Sequence, residues 1–210
     1  MISLCPVSET RGVRALPVVR QNALGGRPTP PAYTRTMSYQ LAQANIAHLR
    51  APLDSPELTD FINSLDPVNA LAEQAPGFVW RLQTEDGNAT SIRAFEWAAG
   101  PGVGIITNMS VWESVDALAS FVYWSPHREV LRRRRHWFHP VGEATVVLWW
   151  VPGGHRPSVA EAEERLLRLR SDGPTPFAFT FRDTFPPPDA LDRLTDINGR
   201  RAQGTSHRLP

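Results

Sequence analysis

Lysine is absent from this chain: all 22 basic residues are arginine, which points to a GC-rich coding bias and to no particular fold. Cysteine is nearly absent too. A single thiol, Cys5, excludes a disulfide framework and a thiolate metal site. Lying in an arginine-rich leading segment with no fixed surroundings, it also lacks what would make a cysteine a nucleophile. No apolar run approaches the roughly 18 residues that a membrane-crossing helix needs. A surplus of charge is lacking as well, with 22 basic residues against 21 acidic ones. That balance hides a split, since residues 1–36 carry five Arg against one acid and residues 37–186 carry 13 Arg against 17 acids. The part expected to fold is therefore mildly acidic, which argues against a nucleic-acid surface. Phosphate-loop, Ser-His-Asp and paired-carboxylate motifs are missing too. Gly100-Pro101-Gly102-Val103-Gly104 has neither the lysine nor the following helix of a phosphate loop.

What the chain does contain is a folding domain between two polar ends. Residues 1–36 are expected to be a disordered or wrongly assigned extension ahead of Met37, and 187–210 a disordered tail rich in Pro, Asp and Arg. Residues 37–186 alternate between two hydrophobic periods. A period of two marks strands over 37–49, 78–83 and 105–112, and TVVLWWV over 145–151 is an apolar, β-branched run. A period near 3.6 marks helices over 56–75, 114–123, 126–138 and 158–172, with Ser114 and Ser158 as caps. Pro67 is expected to kink or restart the first of these. Residues 89–102 read as a long irregular connection, and 177–181 as a short edge strand. The order is strand, helix, strand, strand, helices, strand, then a C-terminal helix and short strand. An α+β fold follows, with a ferredoxin-like split βαββαβ arrangement: one antiparallel sheet with helices on one face.

Three runs carry a resemblance: NIAHLRAPLDSPELTDFINSLDPVNALAEQAPGFVWRLQ, NMSVWESVDALASFVYWSPHREVLRRRRHWF and VLWWVPGGHRPSVAEAEERL. They resemble a bacterial family designated domain of unknown function 3291, within the dimeric α/β-barrel superfamily. That superfamily includes cofactor-free, antibiotic-biosynthesis-type monooxygenases and haem-degrading enzymes. The resemblance implies a cytoplasmic homodimer, paired through the open sheet face, with a cavity for a small apolar or aromatic ligand. It makes monooxygenase-like chemistry on an aromatic or polyketide-like molecule the leading functional expectation. The runners-up are a haem-binding protein and a non-catalytic binding or interaction module.

Strand parity nominates the site. Gln43 and Asn45 alternate with Ala44 and Ile46; Arg81 falls on the side opposite Phe78, Trp80 and Leu82; Asn108, Ser110 and Trp112 alternate with Thr107, Met109 and Val111. With the apolar faces placed beneath the helices, Asn45, Arg81, Asn108, Ser110 and Trp112 would line the other side. Buried polar groups need partners, and a ligand is one kind of partner. Asn108 and Trp112 are candidate catalytic residues, the first as a donor to a phenolate or carbonyl oxygen and the second as a stacking surface. Asn45, Arg81 and Ser110 are candidate substrate-binding residues. His127 and Arg134 lie seven residues apart on one helical face and are candidate catalytic residues: one or the other manages charge, a partly buried Arg134 pairing with an acid or a carboxylate-bearing ligand, and His127 is the axial ligand if haem binds. The plainer reading makes His127 a cap or core residue, and Arg132–Arg135 a solvated surface. His136 and His139 have no metal-ligand spacing, so no metal is expected.

Overall fold

The computed structural model describes residues 38–190, apart from 99 and 125. The expectations for the leading extension, and for the tail beyond residue 190, lie outside the described residues. The domain is α+β, built on a five-stranded antiparallel sheet. Strand β1 (Tyr39–Leu49) is at its centre. On one side it pairs with β3 (Ile105–Trp112), and β3 with the short outer strand β2 (Phe78–Arg81). On the other side β1 pairs with β5 (Val146–Pro152) and, at its very end, with the two-residue β4 (Phe138–His139). Helix α1 (Thr59–Glu73) joins β1 to β2. Helices α2 (Val115–Trp124) and α3 (His127–Trp137) join β3 to β4, and α4 (Val159–Asp172) follows β5.

The register decides which side chains share a face, because residues directly opposite in an antiparallel pair point the same way. Face A carries Ala42, Ala44 and Ile46 with Met109, Val111, Val147 and Trp149. Face B carries Leu41, Gln43 and Asn45 with Asn108, Ser110, Trp112 and Leu148. In β2 the register slips between Phe78 and Trp80. Phe78 therefore sits opposite Trp112 on face B while Trp80 sits opposite Val111 on face A, so the expected Phe78–Trp80–Leu82 face is split by a bulge.

Both faces are covered, which corrects the expectation of helices on one side only. Face A packs against Ala162, Leu166 and Leu169 of α4 and against Ala94, Phe95 and Ala98 of the irregular 89–98 segment. It is the more apolar face, and almost nothing of it reaches water: Val147 and Trp149 are fully buried. Face B meets the first three helices, but as two separate apolar clusters. Leu41, Trp112 and Leu148 gather Val68, Ala72, Leu118 and Phe121 at one end. At the other, Leu49 and Ile106 gather Leu58, Phe61, Leu65 and Trp137. The polar residues of β1 and β3 fall between them. The assignment of the polar face to the open side is thus reversed.

Two further expectations change. Helix α1 runs through Pro67 without restarting, because its inward stripe (Phe61, Ile62, Leu65, Val68, Ala72) continues across the proline while Pro67 itself faces water. The expected strand at 177–181 reduces to a bridge, in which Leu148 and Phe179 exchange backbone hydrogen bonds of 2.8 Å.

Candidate functional site

The polar strip on face B is a directed hydrogen-bond network. An indole N–H can only donate, and Trp112 Nε1 donates to Ser110 Oγ at 2.8 Å. Gln43, opposite Ser110, donates through Nε2 to the same Oγ at 3.1 Å and to Asn108 Oδ1 at 2.8 Å. Both acceptor positions of the Ser110 oxygen are thereby filled, leaving its O–H to donate. The Asn108 carbonyl is likewise occupied, leaving its NH2 group. Asn108 is exposed although the strand is central, and Asn45, its register partner, is half-buried beside it. Two adjacent positions of β3 on one face thus keep donors that this network does not use. The chemistry this arrangement suits is holding an oxygen that accepts hydrogen bonds.

The other expected site residues are placed differently. Trp112 is 1% exposed, between the edge of Phe78 (5.4 Å) and the stacked ring of Phe121 (5.2 Å), so it orders the network and presents no ring to a ligand. Arg81 is committed to the fold: it pairs with Glu73 at 2.8 Å and donates to the Gly87 carbonyl at 2.8 Å, tying the 84–90 turn to α1. His127 stacks on Phe121 at 4.8 Å, with Nδ1 3.5 Å from the Val122 carbonyl. Burial lowers its pKa below the ordinary 6.5, a shift the Val122 contact only partly offsets. Arg134 is exposed and folds back to donate to the Leu131 carbonyl at 3.1 Å. The expected partly buried position is thus replaced by an exposed one. Arg133 pairs instead with Asp60, and Arg132 with Glu129, which leaves the arginine run a solvated surface.

Two residues outside the expected set matter. Gln43 links Ser110 to Asn108; its parity with Asn45 was the available signal, and only the register made it central. His48 is the other. It follows Ala42, Ala44 and Ile46 on face A, is 2% exposed, and its Nε2 has no hydrogen-bond partner. Burial lowers its pKa most, and the charges of Arg170 and His139 lower it further. His48 lines a cavity of about 680 Å³ together with residues of the 90–96 and 100–105 segments. Neither His127 nor any residue of the Asn108 network lines that cavity. The His127 ring lies against Phe121, which is the packing of a core residue. Among the described residues, no cluster of His, Cys, Asp and Glu could hold a metal ion, and no helix is long and apolar enough to cross a membrane.

The sequence over residues 40–195 matches the family model Domain of unknown function (DUF3291), and the chain belongs to that family. No curated protein and no solved structure matches it.

Proposed function

We propose that the domain binds a small, largely apolar molecule through one acceptor oxygen (a carbonyl, enolate or phenolate) held at Asn108 and Ser110. The observation that carries this is the direction of the network, in which Trp112 and Gln43 occupy acceptors of Ser110 and Asn108 and leave the Ser110 O–H and the exposed Asn108 amide N–H groups free of those bonds. The ligand's apolar body would lie along the partly buried rims of the two flanking clusters, as in small-molecule sites generally.

The strand order β2-β3-β1-β5 around a central β1 favours the ferredoxin-like, α/β-barrel type of fold within this reading. A monooxygenase-like enzyme would use the same donor pair, since charge developing on an enolate or phenolate oxygen is stabilised by preset donors. The reading stops at binding and orientation, because the network contains no titratable side chain and the rings of Phe121 and Trp112 separate it from His127. A cytoplasmic homodimer belongs to the same proposal. Its sheet-to-sheet form would require α4 to leave face A, so a dimer is expected to use another surface.

The test is a titration with 2-naphthol and 1,3-cyclohexanedione, a phenol and an enolisable diketone, followed by side-chain amide NMR signals. Saturable shifts are expected at Asn45 and Asn108. Asn108→Ala and Ser110→Ala each remove one hydrogen bond of about 0.5–1.5 kcal/mol, which weakens binding roughly 2- to 12-fold. Arg134→Ala should change nothing. Amide signals unmoved by either probe, or full affinity in Asn108→Ala, would sink the reading.

A further inference from the structure

The cavity beside His48 is a second place where the fold presents chemistry without a partner. At about 680 Å³ it falls within the size range of small-molecule sites. His48 is almost wholly buried, and a buried ring nitrogen without a partner is costly enough that native proteins seldom keep one. A second buried donor, Arg170 Nη2, is also unpartnered, and Arg170 is close enough for its charge to be felt at His48.

Charged and titratable groups face this place from each packed element. Helix α4 contributes Arg170, whose other nitrogens bond Glu143 and the Ala144 carbonyl. Strand β4 contributes His139, directly opposite His48. The cavity wall contributes Arg93 and Glu96, both exposed and neither in an ion pair among the described residues. Backbone forms another part of the wall. A Cβ at Gly100 would come within 2.6 Å of the His48 ring, so only glycine lets the chain pass there. Leu53, Ile92 and Ala94 make part of the wall apolar.

We propose that this cavity binds a small organic carboxylate, with the carboxylate toward His48 and Arg93 and the apolar body along Leu53, Ile92 and Ala94. A carboxylate matches the arginine fork and accepts from an imidazole N–H. It also offsets the positive field of Arg170 and His139, while the exposed Glu96 opposes it through water. Bound anion favours protonated His48, so affinity rises as the pH falls.

The full chain is titrated with sodium phenylacetate and sodium hexanoate, with phenylacetamide as the neutral control, while the His48 ring nitrogens are followed by long-range ¹⁵N NMR. At least one carboxylate should give saturable shifts and bind about tenfold more tightly than the amide. Arg93→Ala, at an exposed position, should weaken it about fivefold or more. Affinity should be higher at about pH 6 than at about pH 8, the sides of the ordinary histidine pKa. Asn108→Ala should leave it unchanged, which separates this site from the one on face B. The proposal is overturned if neither carboxylate moves His48, if the amide binds equally well, or if Arg93→Ala has no effect. Inorganic phosphate matching the carboxylates in shift and affinity would overturn it too, because the apolar body would then contribute nothing.

Discussion

At the scale of single residues, the most consequential positions are those where backbone and side chain must coincide. Gly102 has φ +115°, and a Cβ there would meet the Leu49 carbonyl oxygen at 2.1 Å. Gly102→Ala therefore adds a clash to a backbone conformation that L side chains avoid. We expect it to destabilise the fold by at least about 1–3 kcal/mol in urea denaturation, whereas Gly142→Ala, with open space around its Cβ, should be close to neutral. Phe95 is the opposite case. It holds φ 57° without being glycine, is 1% exposed, and donates its backbone N–H to the Glu163 carboxylate. Phe95→Ala should cost about 3–5 kcal/mol, the usual penalty for deleting a buried aromatic ring. Residue chemistry was only partly legible in the sequence. Alternation placed Asn45, Asn108 and Ser110 on one face correctly, but whether a neighbour is glutamine or alanine across the strand is a matter of register. Gln43 gained its role from lying opposite Ser110, and Arg81 lost its expected role to Glu73, a residue on another element.

At the scale of elements, periodicity located the main strands and helices, and local chemistry set several of their ends. Ser158 starts α4 as expected, its Oγ accepting from the Glu161 N–H at 3.1 Å. Ser158→Ala should cost about 0.5–2 kcal/mol, read from the shift in denaturation midpoint. The same first turn holds Glu161, which also accepts from Trp149 Nε1 and His155 Nε2 at 2.8 Å each. Burial alone would raise its carboxyl pKa. The hydrogen bonds from His155 and Trp149 and the charges of His155 and Arg165 outweigh that and bring it below the ordinary 4.5. What failed at this scale was local rule-reading against tertiary context. Proline did not break α1, because packing on both sides of it held the helix together. The bulge in β2 inverted the facing of Phe78, since a strict period of two cannot signal a one-residue slip.

At the scale of the molecule, the α+β class and the succession of elements could be read from the chain, but the covering of the sheet could not. Both faces of β1 carry apolar residues, and nothing in a strand's alternation says which face a later helix will take. Two histidines, His48 buried and His127 half-buried, give the whole fold a pH signature. His48 and His127 are both lowered below 6.5 when folded, so the unfolded chain binds more protons as the pH drops past 6.5. Stability is full above that value and declines as the pH falls through it toward the folded pKa values. The urea midpoint should therefore be lower at about pH 5.5 than at about pH 7.5, and His48→Gln should flatten the difference. Equal midpoints in the unaltered protein would contradict the burial argument. Loss of the Glu161 contribution belongs to a separate window, below pH 4.5.

The central place of β1 has a consequence for synthesis. The first strand of the described residues is the one that both long partners need, yet residues 105–112 and 146–152 must be made before it has neighbours, and α4 later still before face A is fully shielded. A growing chain that has finished β5 but not α4 carries a sheet surface of Val147, Trp149, Val111 and Met109 covered only by Ala94, Phe95 and Ala98, without α4's share. Such a surface is what holding chaperones bind and what drives nascent chains together. Release of a chain that ends before residue 159 should therefore lengthen chaperone association, and release of one that continues well past residue 172 should shorten it.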